Sequence, residues 1–483
     1  MKTIRHLIIF CVLAAAAVAC TKPAALTLLS NQVAFEAAAG QQEISFLTNR
    51  DWTLRSDADW VTVAPASGGP SDSYQRVNVS VSANEAEAER TASLTLTAGE
   101  LSRVIGVRQA GKPVVVPPKF TIRDFRNRPV STTEWYELTG EIVSLPEEHY
   151  GNFFMADETG YIYVYGLCEK QVEKNDQSFS KLGLKPGDKV TIKTLRSEYN
   201  KAAQAGGNIP AYFVSRQAGA YRLGQKVAST SAKWMELPAT KADDGQDLLI
   251  HSTLDGKRSY AAYFDYDHFV SSWVAYPLHS GNIGSGKRME ESAFPMDPLL
   301  DRSQQAYLPK GYKESSLGKK YDRGHQIPSA DRLDWRLNIE TFFSTNMTPQ
   351  DSDLNSNAWE KLEDKVRAWA CNADTDTLYV VTGCYVGDST ETAEDSDGKK
   401  ITVPRGYYKA LLRLSKKDNN YSSVAFWFEN KENKSSSIKK EMSMSIDDLE
   451  KKVGVDFFVN LPADVQASVE AQNPADVAWW WNN

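Results

Sequence analysis

Along residues 77–82 and 92–97, Val77-Asn78-Val79-Ser80-Val81-Ser82 and Ala92-Ser93-Leu94-Thr95-Leu96-Thr97 alternate apolar with polar positions. That period of two marks strands with one buried face. Gly68-Gly69-Pro70 and Ala98-Gly99-Glu100 supply turns between them. Residues 25–111 therefore predict a small all-β, immunoglobulin-like sandwich. A stiff, proline-rich linker follows over 112–118. Over 119–222 the strand pattern returns at 135–143, 152–155, 161–165 and 190–194, the last two preceded by Asp157-Glu158-Thr159-Gly160 and Pro186-Gly187-Asp188. Short strands at that spacing predict a β-barrel. From 230 to 483 the pattern is mixed. Strands at 262–266, 272–276, 378–383 and 424–428 are interleaved with helices at 355–370 and 446–453, predicting an α+β domain.

A chain of 483 residues is too long for one core and fits about three domains. Its net charge of -7 excludes a protein that coats nucleic acid through bulk electrostatics, though not an enzyme with a locally basic groove. Residues 1–20 form a targeting segment: Lys2 and Arg5, an apolar run over 7–17, then small residues to Cys20. Ala17-Val18-Ala19-Cys20 resembles a bacterial lipobox, which implies a lipidated Cys20 and an exported, membrane-anchored lipoprotein, periplasmic or on the cell surface; the alternative is an ordinary secretion signal cut near Ala19. No other stretch reaches the roughly 18 apolar residues that cross a bilayer. Of five cysteines, Cys11 and Cys20 lie in the signal. Cys371 and Cys384 flank a helix-to-strand connection at 372–377, and an oxidising destination permits a disulfide between them. Cys168 reads as a small buried hydrophobe, and no cysteine spacing suggests zinc.

The candidate chemistry lies in Asp322-Arg323-Gly324-His325, then Thr345-Asn346-Met347-Thr348-Pro349-Gln350, then Asn355, Trp359, Glu363 and Arg367. Cutting a phosphodiester requires a group that deprotonates water near neutrality, which histidine provides. It also requires a hard cation to neutralise charge on the phosphate, and magnesium accepts one or two protein oxygens while keeping several waters. Arginine forks grip phosphate oxygens. The four-residue steps from Asn355 to Arg367 drift about 40° each around a helix, so Asn355 and Glu363 lie about 80° apart and can border one cleft. Gly324 is expected to let the backbone turn so that the imidazole faces outward. Lys409 reads as structural, and the run Trp479-Trp480-Trp481 reads as exposed by position.

In this order and spacing, the motifs closely resemble the DNA/RNA non-specific endonucleases, a ββα-metal family. The resemblance implies His325 as general base and Asn355 as the lone direct protein ligand of Mg2+, with Mn2+ as an alternative ion. It further implies that Glu363 orients metal-bound water, that Arg323 and Arg367 contact phosphate, and that Asn346 supports the site. Substrates would be DNA and RNA, cut to leave 5′-phosphates. Some members carry an arginine in the strand before a Trp-Val-Ala-Tyr motif like Trp273-Val274-Ala275-Tyr276; residues 267–272 contain none, leaving a weaker transition state or a substitute role for His268. Trp52, Trp60, Pro65-Ala66-Ser67-Gly68 and Val107-Arg108-Gln109-Ala110-Gly111 resemble a BACON domain, a family whose name proposes carbohydrate binding. Trp52 and Trp60 could stack on sugar or simply fill a core. The barrel resembles an OB-fold; there Tyr161, Tyr163 and Tyr165 could stack nucleic-acid bases or cover the barrel. The competing function is a carbohydrate-binding surface lipoprotein whose nuclease-like domain is inactive.

Overall fold

A computed structural model describes residues 22–86, 88–112, 120–241, 244–253, 256–290 and 294–482. Cys20 and most of the 112–118 linker lie outside these. The chain divides into two compact units, residues 1–118 and 119–483.

The first unit is a two-sheet sandwich. One sheet orders Leu26–Leu28, Gly40–Thr48, Gln75–Val81 and Val61–Ala64; the other orders Gln32–Phe35, Leu101–Gln109, Arg90–Ala98, Trp52–Ser56 and Ser67–Gly68. Val77, Val79 and Val81 point inward with Leu94 and Leu96, as the alternation requires. Trp52 belongs to this core: its ring meets Phe46 edge-on at 4.8 Å and its indole N–H donates to Gln75 Oε1 at 2.7 Å. It is therefore closed to a sugar, and Arg90 lies 4.3 Å over the half-buried ring of Trp60.

The second unit begins with a closed five-stranded barrel in the order Trp135–Glu147, Asn152–Ala156, Tyr161–Cys168, Ala202–Gln217, Lys189–Tyr199. Tyr161–Cys168 and Ala202–Gln217 run parallel and the other pairs antiparallel. Tyr161 and Tyr163 do not form a base-stacking platform. Both are buried in one core with Phe154 and the α+β domain, and Trp335 lies 6.2 Å from the Tyr161 ring. Only Tyr165 of the three is exposed. Ser144 Oγ donates to the Met296 carbonyl at 2.6 Å across the same junction. The barrel face expected to meet nucleic acid is consumed as a domain interface.

The α+β domain is built on an antiparallel eight-stranded sheet. Its order is Gly224–Val227, Gln246–Ser252, Arg258–Asp265, Val270–Leu278, Thr375–Tyr385, Gly406–Ser415, Tyr421–Glu429 and Ser443–Met444. Its central strands are apolar on both sides because both sides are covered. Helices Ile446–Val453 and Ala463–Glu470 pack on one face. The other face takes the hairpin and long helix of the candidate site. Trp480 is buried rather than exposed: it meets Trp369 edge-on at 4.9 Å, and the Trp369 indole donates to its carbonyl at 3.0 Å.

Cys371 and Cys384 are free thiols. The strand after Cys371 runs Thr375–Tyr385, so it carries Cys384 about 30 Å along at 3.3 Å per residue. Cys384 is buried there, donating to the Ser271 carbonyl at 3.4 Å, while Cys371 is exposed at the helix end.

Candidate active site

Two short antiparallel strands, Asp322–His325 and Met347–Gln350, pair in the register Asp322↔Gln350 to His325↔Met347. Gly324 lies in extended backbone, so its role differs from the turn expected of it. A Cβ there would come within 2.3 Å of Gln350 Oε1 and 2.5 Å of Gln350 Cβ. Only glycine lets the strands close this tightly. Asn346, fully buried, ties off the hairpin: it accepts from Ile327 N at 2.9 Å and donates to the carbonyls of Ile327 and Thr341 at 2.9 and 2.7 Å. Its amide is spent on backbone, which fixes the hairpin's base.

The long helix follows at once. Asp351 caps it, accepting from Asp353 N and Leu354 N at 3.0 and 3.1 Å. Residues Asn355–Trp359 form a π-helical turn before the regular helix Glu360–Ala370. Such wide turns recur at functional sites because they re-aim side chains. Asn355 lies at its start, and its Nδ2 donates to Asp322 Oδ2 at 3.0 Å. Ser352 Oγ holds the other Asp322 oxygen at 2.8 Å. The amide is thereby oriented, and its carbonyl oxygen is left without a hydrogen bond among the described residues. Hairpin and helix are joined by Asp322, a residue of the motif that sequence reasoning passed over.

His325 sits between two phenyl rings, with centroids 5.0 Å away at Phe342 and 6.2 Å at Phe294. Each ring also carries an arginine: Arg323 lies 3.5 Å over Phe294, and Arg288 lies 4.7 Å over Phe342. The His325 Nε2 is buried without a hydrogen-bond partner. Loss of water, then the charges of Arg288 and Arg323, pull its pKa down to about 3. The imidazole is thus neutral at any ordinary pH, with its Nε2 lone pair unengaged. Arg288 was not anticipated. No arginine lies in residues 267–272, but this one reaches the site from the loop after the strand. His268 does not substitute; its Nδ1 is 2.8 Å from Asp265 Oδ2 in its own hairpin.

Glu363 lies one helical turn beyond Trp359. Burial raises its pKa, and the charge of Lys409 opposes that rise most strongly. Lys409, read from sequence as merely structural, is buried below Trp359 with its ammonium 4.4 Å from the indole ring. Arg367 is engaged by Asp331 at 3.0 Å and by Asp364, one of them buried and one exposed. Its guanidinium is committed to carboxylates on the flank of the cleft. Arg288 acts electrostatically on both Glu363 and His325, so the three lie within electrostatic reach of one another.

Among the described residues, one acidic cluster is compact enough to hold a metal through three side chains: Asp447, Glu450 and Glu470. It belongs to the helices on the opposite sheet face, and Gln466 already binds Glu470 at 3.1 Å. Asn355 belongs to no such cluster; what distinguishes it is the fixed orientation of its amide.

Residues 248–464 match the family model described as DNA/RNA non-specific endonuclease, and residues 24–112 match that described as viral BACON domain. A nuclease of Serratia marcescens is 33% identical over 208 residues, spanning 42% of this chain and 73% of that protein. A nuclease of Nostoc is 30% identical over 224 residues, spanning 45% and 77% respectively. The human mitochondrial nuclease EXOG is 27% identical over 217 residues, spanning 42% and 56%.

Proposed function

We propose, for a chain that belongs to the DNA/RNA non-specific endonuclease family, that His325 and Asn355 divide the work of hydrolysing phosphodiesters in both DNA and RNA. His325 Nε2 takes a proton from the attacking water. That water adds to phosphorus, and the bond to the 3′ oxygen breaks, leaving a 5′-phosphate and a 3′-hydroxyl that is protonated from solvent. Arg323 and Arg288, held on their phenyl rings, offset charge growing on the phosphate. Glu363 orients water in the cleft by accepting its hydrogen bonds.

The residues fit a hard divalent cation. Asp322 binds the Asn355 nitrogen, which leaves the amide oxygen as the available ligand. Magnesium, with manganese as a substitute of similar ligand preference, would supply charge neutralisation at the phosphate and the leaving oxygen. The observation that carries this reading is that one four-residue strand holds both ends of the kit. Asp322 fixes Asn355, and His325, three residues and about 10 Å along, offers an unpaired buried nitrogen.

Plasmid and ribosomal RNA digested with Mg2+, with EDTA, and by His325→Ala and Asn355→Ala test it. EDTA and Asn355→Ala should abolish cutting, and the ends should accept ligation as 5′-phosphates. Unchanged cutting by Asn355→Ala would contradict the metal assignment. The apolar run ending at Cys20 supports export and lipid anchoring. Palmitate labelling lost in Cys20→Ser tests that, and labelling that persists would overturn it.

A further inference from the structure

Lys409 poses a problem that the reaction as described does not solve. It stands in the central strand Gly406–Ser415, opposite Thr382 on Thr375–Tyr385, and is 1% exposed. Among the described residues its ammonium makes one hydrogen bond, to Thr382 Oγ1 at 3.0 Å, and no direct ion pair. Trp359 covers it at 4.4 Å. A buried ammonium so poorly paired is costly, and an apolar side chain of similar length would fill the space without that cost.

The groups around it indicate what offsets the cost. Trp359 and Glu363 are four residues apart and share one helix face, so Glu363 lies next to the indole that caps Lys409. Asp331, from the turn Ser329–Asp331, adds a second negative charge facing Glu363. On its own helix, Arg367 is divided between Asp331 and Asp364, and Asp364 repels Glu363. Arg288 acts on Glu363 from the exposed side. Lys409 is therefore the cation beneath Glu363 that no carboxylate has already claimed.

We propose that Lys409 is a positioning residue for hydrolysis: from the sheet below, it supplies the buried positive charge that favours the ionised Glu363 carboxylate at the cleft. This rests on the role given to Glu363 above. Removing the charge leaves Glu363 facing Asp331 in a desolvated setting, so the carboxylate takes up a proton at higher pH than before. The acid limb of kcat/KM moves upward with it.

Lys409→Met, Lys409→Arg, Thr382→Val, Glu363→Gln and the double variant Glu363→Gln/Lys409→Met provide the test, with folding checked by circular dichroism. Infrared titration of metal-free protein, differenced against Glu363→Gln, reads the Glu363 carboxyl directly. In Lys409→Met its midpoint should rise by about one pH unit, a tenfold change in ionised fraction. The acid limb should follow, with activity recovering in alkali; Lys409→Arg should stay near wild type. In the Glu363→Gln background the Lys409 change should move nothing further. If Lys409→Met does not fold, Thr382→Val reads the same effect, smaller and in the same direction. A folded variant whose infrared midpoint and limb both stay put, with activity lost equally at every pH, overturns the proposal. Full activity in Glu363→Gln would sink the role of Glu363 instead, and the infrared midpoint would still report whether Lys409 acts on it.

Discussion

The two walls of the cleft treat a buried titratable group in opposite ways. On the hairpin wall, His325 is stripped of water, given no hydrogen bond at Nε2, flanked by Phe294 and Phe342, and faced by two arginines. Every one of these features favours the neutral ring. On the helix wall, Glu363 is equally desolvated, yet a lysine is buried beneath it and Arg367 stands alongside. Those features favour the charged form. Desolvation alone pushes both groups toward neutrality. Both walls add positive charge, which disfavours the imidazolium on one side and favours the carboxylate on the other; the chemistry of the group, not the sign of the added charge, separates the two.

The largest effect is expected from emptying the hairpin wall. His325→Ala should lower kcat by about 10³-fold at saturating Mg2+, the scale of a lost general base, with melting temperature retained; steady-state kinetics on plasmid checks the first and thermal unfolding the second. Asp322→Ala, which unfixes Asn355, should raise the Mg2+ needed for half-maximal rate by about 10- to 100-fold, as for other lost supports of a metal ligand. Excess Mg2+ should rescue that variant and fail to rescue Asn355→Ala. Arg288→Ala should cost about tenfold in kcat/KM, near 1.4 kcal/mol, and raise the His325 pKa from about 3 toward the ordinary range. The sign follows from removing a cation, and histidine NMR of metal-free protein measures it. The same depressed pKa means that stability falls as pH drops from about 6.5, where unfolded chains bind the proton, to about 3, where the fold finally accepts it. That slope should flatten in His325→Ala. The smallest effect is expected from Cys371→Ser, which should leave activity and melting temperature unchanged under oxidising conditions, since no disulfide is lost.

Much of this was legible because the motif is local. Asp322 through Gln350 pair strand to strand, and the helix with Asn355 and Glu363 follows directly, so order along the chain and order in space coincide. The sandwich was legible from the alternation at 77–82 and 92–97. The losses have a common cause, which is contact between distant segments. Arg288 reaches His325 across a loop with no periodicity to announce it. Nothing in the strand around Lys409 reveals that Glu363 lies above it. Tyr161 and Tyr163 alternate as a ligand platform would, and the neighbouring domain covers them. The angle between Asn355 and Glu363 assumed regular α-helix, and the π-helical turn Asn355–Trp359 resets it.

The most direct measurement is a crystal of the full chain soaked in Mn2+, read by anomalous scattering. The account predicts one strong peak at roughly 2.2 Å from the Asn355 amide oxygen, with Asp322 still holding the amide nitrogen and His325 outside the coordination sphere. An ion bound instead by His325 Nε2, or only at Asp447, Glu450 and Glu470, would contradict it.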